Sequence, residues 1–281
     1  MNITAYTPSA FNAAPFAIST FGFANAPDPA AAALRTYKRD VNGIVLTGTL
    51  SEILAAVPAE KWDASLVLMG NCGGENVFVR ALAEKAHCPL VGGAAAIDPV
   101  SGKAGLITGG GQAAVFLMQD SRYTFEAVTQ NIHTEILGEH SIEFDGRYFT
   151  AIDGQEPIAW LNAQKDAFGI PHTDFEHLTF SDMNGVNAHL SIVDGRLFSG
   201  RDLCPTMLLR RVKAEDVYAR MHAFYDDSDA IICGCAGLKG ILPQDLMTDG
   251  FGLFLFGEIC TAAGVSTFGN LMLSKLVIRE K

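Results

Sequence analysis

An apolar strand that runs into a cysteine among small residues occurs twice in this chain, and no other feature constrains its fold as much. The first copy is Leu66-Val67-Leu68-Met69-Gly70-Asn71-Cys72-Gly73-Gly74; the second is Ala230-Ile231-Ile232-Cys233-Gly234-Cys235-Ala236-Gly237. Each is followed by an apolar segment broken by glycine, Pro89-Leu90-Val91-Gly92-Gly93 and Leu253-Phe254-Leu255-Phe256-Gly257-Glu258. A third segment closes each half, Gly111-Gln112-Ala113-Ala114-Val115-Phe116-Leu117-Met118 and Gly269-Asn270-Leu271-Met272-Leu273. Three matched elements in one order predict two related lobes. A strand that exits into glycine lets backbone N–H groups approach whatever lies above the strand end, because glycine adds no bulk and tolerates positive φ. Small-ligand sites are often built this way.

The remaining pattern predicts an α/β fold, two-lobed, with mixed sheets, flanking helices and an internal pseudo-repeat. Residues 14–23 read as a strand, and Asp28-Pro29 as the start of an alanine-rich helix. Gly43-Ile44-Val45-Leu46 is a short buried strand, after which Thr49 and Glu52 have capping-box spacing. Val77, Phe78, Ala81, Leu82 and Lys85 recur at helical spacing over residues 75–86. This strand–helix alternation requires some parallel pairing. Gly109-Gly110-Gly111 reads as the turn of a hairpin, and Asn184-Gly185 and Asp194-Gly195 as two more. Helices are expected over residues 156–168 and 213–224. A boundary near residue 143 divides the chain into lobes 1–143 and 144–281.

Composition excludes several classes. The formal net charge of -11 and the shortness of the basic clusters, such as Arg210-Arg211-Val212-Lys213, argue against nucleic-acid binding. No segment reaches the roughly 20 apolar residues that span a bilayer, and the start lacks the pattern of a secretory signal. The expectation is a cytoplasmic protein without membrane insertion. Six cysteines in 281 residues fit the thiols of a reducing compartment better than a disulfide framework.

Two functions compete at the cysteine turns. A thiol at a strand end near a helix N-terminus is lowered in pKa, which makes Cys72 and Cys235 candidates for a cysteine-dependent enzyme of acyl or amide chemistry. No histidine stands at a spacing that identifies a base, and a small buried thiol at a glycine turn is the plainer reading. The alternative is a binding site for a small polar ligand, built from Asn71, Cys72, Gly92, Gly93, Cys235, Gly237, Lys239, Gly257, Glu258 and Asn270. Here Glu258, directly after an apolar segment, would meet a cation of the ligand or Lys239, since an unpaired buried charge is costly. A scaffold for an oligomer is the third class. His172-Thr173-Asp174-Phe175-Glu176-His177 concentrates ligand-type residues without metal spacing and reads as a solvated loop, and no metal or cofactor is expected.

The run Ile232-Cys233-Gly234-Cys235-Ala236-Gly237, then Phe256-Gly257-Glu258-Ile259, then Gly269-Asn270 entering a last strand, resembles the C-terminal part of FIST domains. Cys88-Pro89-Leu90-Val91-Gly92-Gly93-Ala94 is similar to a segment of the family's N-terminal part, and Ile152-Asp153-Gly154 to the start of its C-terminal part. The resemblance implies a cytoplasmic sensory domain that binds small ligands such as amino acids and passes the signal to a protein partner. The chain departs from the family pattern in being short, without an output domain, and in having Leu238-Lys239 where a basic residue commonly follows the turn directly.

Overall fold

The computed structural model describes residues 41–70, 74–94, 113–225, 230–235, 237–238, 241, 253–255, 257–262 and 264–281, and the backbone of Asn2–Tyr6. Residues 14–23, the Asp28-Pro29 helix start, the Gly109–Gly111 turn, Asn71, Cys72 and Lys239 lie outside the described residues.

The first lobe is built on β1 (Asn2–Tyr6), β2 (Gly43–Gly48), β3 (Ala64–Met69), β4 (Leu90–Ala94) and β5 (Ala113–Met118), with α1 (Leu50–Ala56) and α2 (Glu75–Ala86) between them. Thr49 and Glu52 close the expected capping box at the start of α1, each accepting from the other's backbone N–H. β3 runs parallel to β4 and antiparallel to β5, which in turn pairs with β2. A hairpin from the far end of the chain, β16 (Glu258–Ala262) and β17 (Val265–Gly269), extends this sheet, giving the order β1-β2-β5-β3-β4-β16-β17.

The same arrangement returns in a four-stranded sheet. β14 (Ala230–Cys235) is parallel to β15 (Leu253–Leu255) and antiparallel to β18 (Met272–Glu280), which pairs with β6 (Tyr123–Asn131). The order β15-β14-β18-β6 therefore mirrors β4-β3-β5-β2, with α4 (Ala214–Tyr225) entering β14 much as α1 enters β3. Every residue of β3, β5 and β14 is buried, so both faces of each sheet must be covered. Ile53, Phe78 and Leu82 of the first helices share one core with Ile231, Cys233, Leu276 and Ile278 of the second sheet. Val217, Met221 and Phe224 of α4 share another with Ala230, Ile232 and Leu273. The layers thus run helix, sheet, sheet, helix.

Between β6 and α4 the chain makes a nearly closed barrel. Its strands are β7 (Glu135–Asp145), β8 (Tyr148–Ile152), β9 (Leu178–Ser181), β10 (Asn187–Ala188), β11 (Leu190–Val193), β12 (Arg196–Ser199) and β13 (Thr206–Arg211), in the order β10-β9-β13-β7-β8-β12-β11. The two edges, β10 and β11, are joined by the single residue His189. Asp194 and Gly195 both take positive φ in the two-residue turn between β11 and β12, as their types demand. Helix α3 (Pro157–Ala167), capped by Glu156, packs Trp160 against Phe180 in the barrel core. Residue 143 lies within β7, and both sheets of the layered part take strands from each half of the sequence.

Candidate functional site

The layered part and the barrel meet at a seam lined by β4, β16, the turn between β17 and β18, and residues 185–189. Gly93 stands opposite Glu258 in the antiparallel pairing of β4 with β16, and Ala94 N–H donates to Gly257 O at 2.9 Å. A side chain on Gly92 would fall 1.8 Å from Val67 O, and Gly92 has φ +121. Gly257, at φ +103, would place a Cβ 2.3 Å from Phe268 and 2.9 Å from Asn270 Nδ2. These glycines let strands of the protein itself approach one another. Their expected role of presenting backbone to a ligand is taken in part by neighbouring chain.

Glu258 opens β16 rather than closing the apolar strand before it, because the chain leaves one sheet at Leu255 and enters the other at Glu258. Its side chain is fully buried. One oxygen, Oε1, accepts the N–H of Met272 at 2.5 Å; the other, Oε2, has no hydrogen-bond partner. Burial raises its pKa well above the usual carboxylate range, outweighing the Met272 N–H and the Cys235 thiol, which favour the charged form. Burial thus disfavours the charged form of this carboxyl. Met272 N–H is aimed at it by a reversal at Asn270-Leu271, where Leu271 takes φ +52. Asn270 holds that reversal to the barrel: its N–H donates to Asn187 O at 3.0 Å, and its Oδ1 accepts His189 N–H at 3.2 Å.

Three thiols surround the acid. Cys233, Cys235 and Cys260 are buried, and each has its pKa raised, first by burial and then by the Glu258 carboxyl. For Cys235 the rise is to about 12, although backbone groups of Leu271, Gly237 and Gly257 favour its thiolate. Cys235 Sγ and His189 Cδ2 flank one point, lying 3.7 and 3.5 Å from where a Gly237 Cβ would be. Burial lowers the His189 pKa, which keeps its imidazole neutral near pH 7.

The seam also holds groups that carry no signal in the sequence. Asn187 Nδ2 lies 3.0 Å from Asn131 Oδ1, 3.0 Å from His133 Nδ1 and 3.3 Å from Leu271 O. His133 is wholly buried with Nε2 2.7 Å from Glu176 O, so Nε2 carries the proton and Nδ1 accepts from Asn187. Arg201, 5% exposed, donates from Nη1 to Val186 O at 2.6 Å and from Nη2 to Asp182 Oδ2 at 3.1 Å. Its Nε–H has no partner. His133, Asn187, His189 and Arg201 lie far apart in sequence from the cysteine turns, and only the fold brings them there.

Of the residues expected to form the site, Gly92, Gly93, Cys235, Gly237, Gly257, Glu258 and Asn270 gather at this seam. Residues 172–177 form a loop in which Asp174 Oδ2 pairs with His177 Nδ1 at 2.6 Å, and no metal-binding cluster occurs among the described residues. No helix there is long and apolar enough to cross a membrane. Comparison with protein-family models, curated proteins and solved structures yields no match.

Proposed function

We propose that this chain is a cytoplasmic sensory protein of FIST type that binds a small polar ligand, an amino acid or a molecule of similar size, and reports to a protein partner. The observation that carries the reading is the fully buried Glu258 with an unpartnered Oε2. A buried polar atom without a partner costs about 1–3 kcal/mol, a cost that a ligand's hydrogen bond would relieve. The test is a thermal-shift screen of the full chain against amino acids, short carboxylates, amines and sugars. A ligand present at 100 times its Kd adds about 2.7 kcal/mol of apparent stability. Absence of a shift across the whole panel would overturn the reading.

One observation favours a second reading, a cysteine-dependent enzyme using Cys235: the His189 imidazole and the Cys235 thiol border the same space above Gly237. Against it, a thiol raised to about 12 is almost wholly protonated at neutral pH. Iodoacetamide labelling separates the two. Rapid, pH-independent alkylation of Cys235 near pH 7 would favour the enzyme, and resistance until unfolding favours binding.

A further inference from the structure

The acid, the thiols and the amide at the seam are enclosed. Glu258, Cys235, Cys260 and Asn270 are all buried, so a dissolved molecule reaches them only when the seam opens. Residues 199–202, which leave the end of β12, cross the reversal that precedes β18. A Cβ on Gly200 would lie 2.7 Å from Asn270 Oδ1, and Gly200 N–H donates to His189 O at 2.7 Å. Arg201 Nη1 reaches Val186 O at 2.6 Å, and Val186 packs with Cys260 and Met272. The segment is a strap laid over the site.

One side chain fastens that strap to the layered part. Arg147, in the turn between β7 and β8, donates from Nη1 to Gly200 O at 3.3 Å and from Nε to Asp202 Oδ1 at 3.2 Å, both on the strap. Its Nη2 donates to Oε2 of Glu75, in the first turn of α2, at 3.3 Å. The rigid fork of a guanidinium suits such a three-way junction. Among the described residues no other ion pair joins the barrel to the layered part. The bonds of Asn270 to Asn187 and His189 join uncharged groups. Arg147 is 25% exposed and Asp202 59%, and salt screens pairs that water reaches far more than buried ones.

We propose that residues 199–202 are a strap whose fastening to Glu75 through Arg147 sets how often the seam opens, and that rising ionic strength loosens it. The strap rests on the binding reading above for what its opening admits, and adds the regulation of that site.

The experiment is amide hydrogen exchange, resolved by residue, on the full native chain and on Arg147→Gln, each in low and in high sodium chloride. Gly200, Asn270 and His189 N–H report on the seam, and Ser65 N–H, bonded to Pro89 O within the first copy, reports on global unfolding. In low salt Arg147→Gln should exchange its seam amides about 5-fold faster than the native chain, the scale of a partly exposed ion pair, with Ser65 unchanged. High salt should speed the native seam by a similar factor and add nothing in the variant. Seam amides at the native rate in Arg147→Gln, a salt response that persists there, or equal acceleration of Ser65 would overturn the proposal. If a thermal melt shows Arg147→Gln unfolded, the native chain decides: a seam that responds to salt while Ser65 does not supports the strap, and a flat response overturns it. A ligand that binds although the seam ignores salt removes the strap and leaves the binding reading intact; a responding seam with no ligand in the thermal-shift panel does the reverse.

Discussion

The two sheets of the layered part repeat one strand order but differ in what interrupts them. In the first, β2, α1, β3, α2 and β4 follow one another through short connections. In the second, the whole barrel intervenes between β6 and α4, and the β16–β17 hairpin leaves to extend the first sheet beside β4. The first copy is therefore held mainly by its own neighbours along the chain. The second is held by parts distant in sequence, and its polar groups gather where those parts meet. A duplicated scaffold becomes a site where its symmetry is broken: Glu258, Asn270 and Cys235 all belong to the interrupted copy.

If close strand approach is what holds the first copy together, Gly92→Val should have the largest effect. Its side chain would fall 1.8 Å from Val67 O at φ +121, a conflict with backbone that no rotamer removes. The expected cost exceeds about 4 kcal/mol, seen as loss of soluble folded protein or of the urea transition. A well-folded variant would mean that β4 can move away from β3 and that the first copy does not depend on this close approach.

The barrel's hold on the second copy should depend on Asn187. Asn187→Leu removes the donor to His133 Nδ1 and Leu271 O, while Asn131 keeps Gly185 O and His133 N–H, and a loss of about 3 kcal/mol in chemical denaturation is expected. A second transition in the melt would show the barrel unfolding apart from the layers.

Acid sharpens the same contrast. Burial lowers the His133 pKa to about 4 against an ordinary 6.5, with the His177 and Arg210 charges lowering it further, while the Glu176 carbonyl and Asp174 oppose the shift. Between those values the unfolded chain takes up the proton first. The contribution is thus fully present above pH 6.5 and is lost as pH falls towards 4, by an amount on the order of 3 kcal/mol. Urea melts at several pH values should show this slope in the native chain and a flatter one in His133→Gln. Glu258 has the opposite sign, because its folded pKa is raised: its contribution is present at low pH and fades as pH rises above the ordinary carboxylate value of 4.5. Glu258→Gln should accordingly remove part of any alkaline loss of stability.

The smallest effect is local to the first copy. Thr49→Ala removes the capping box of α1 and should cost about 1 kcal/mol without altering ligand binding at the seam. A change in affinity would show that the copies communicate through more than their shared strands.

Local elements were legible because their causes lie within a few residues. The Thr49/Glu52 spacing, the apolar period of α2 and the Asp194-Gly195 turn each depend on contacts along one short segment. The site was legible only in part. Gly92, Gly93, Gly257 and Glu258 stand out beside apolar runs, whereas His133, His189 and Arg201 have no spacing that marks them, since what they touch is supplied by strands distant in sequence.

The sequence by itself therefore determined the elements, their repetition and the burial of the cysteine strands, because propensity, capping and hydrophobic period act over short range. Only the tertiary structure decided that β16 leaves the second sheet for the first, and that Glu258 is consequently enclosed among buried thiols. Its charge state follows from the dielectric and the donors that surround it, and those belong to the packed whole rather than to any stretch of chain.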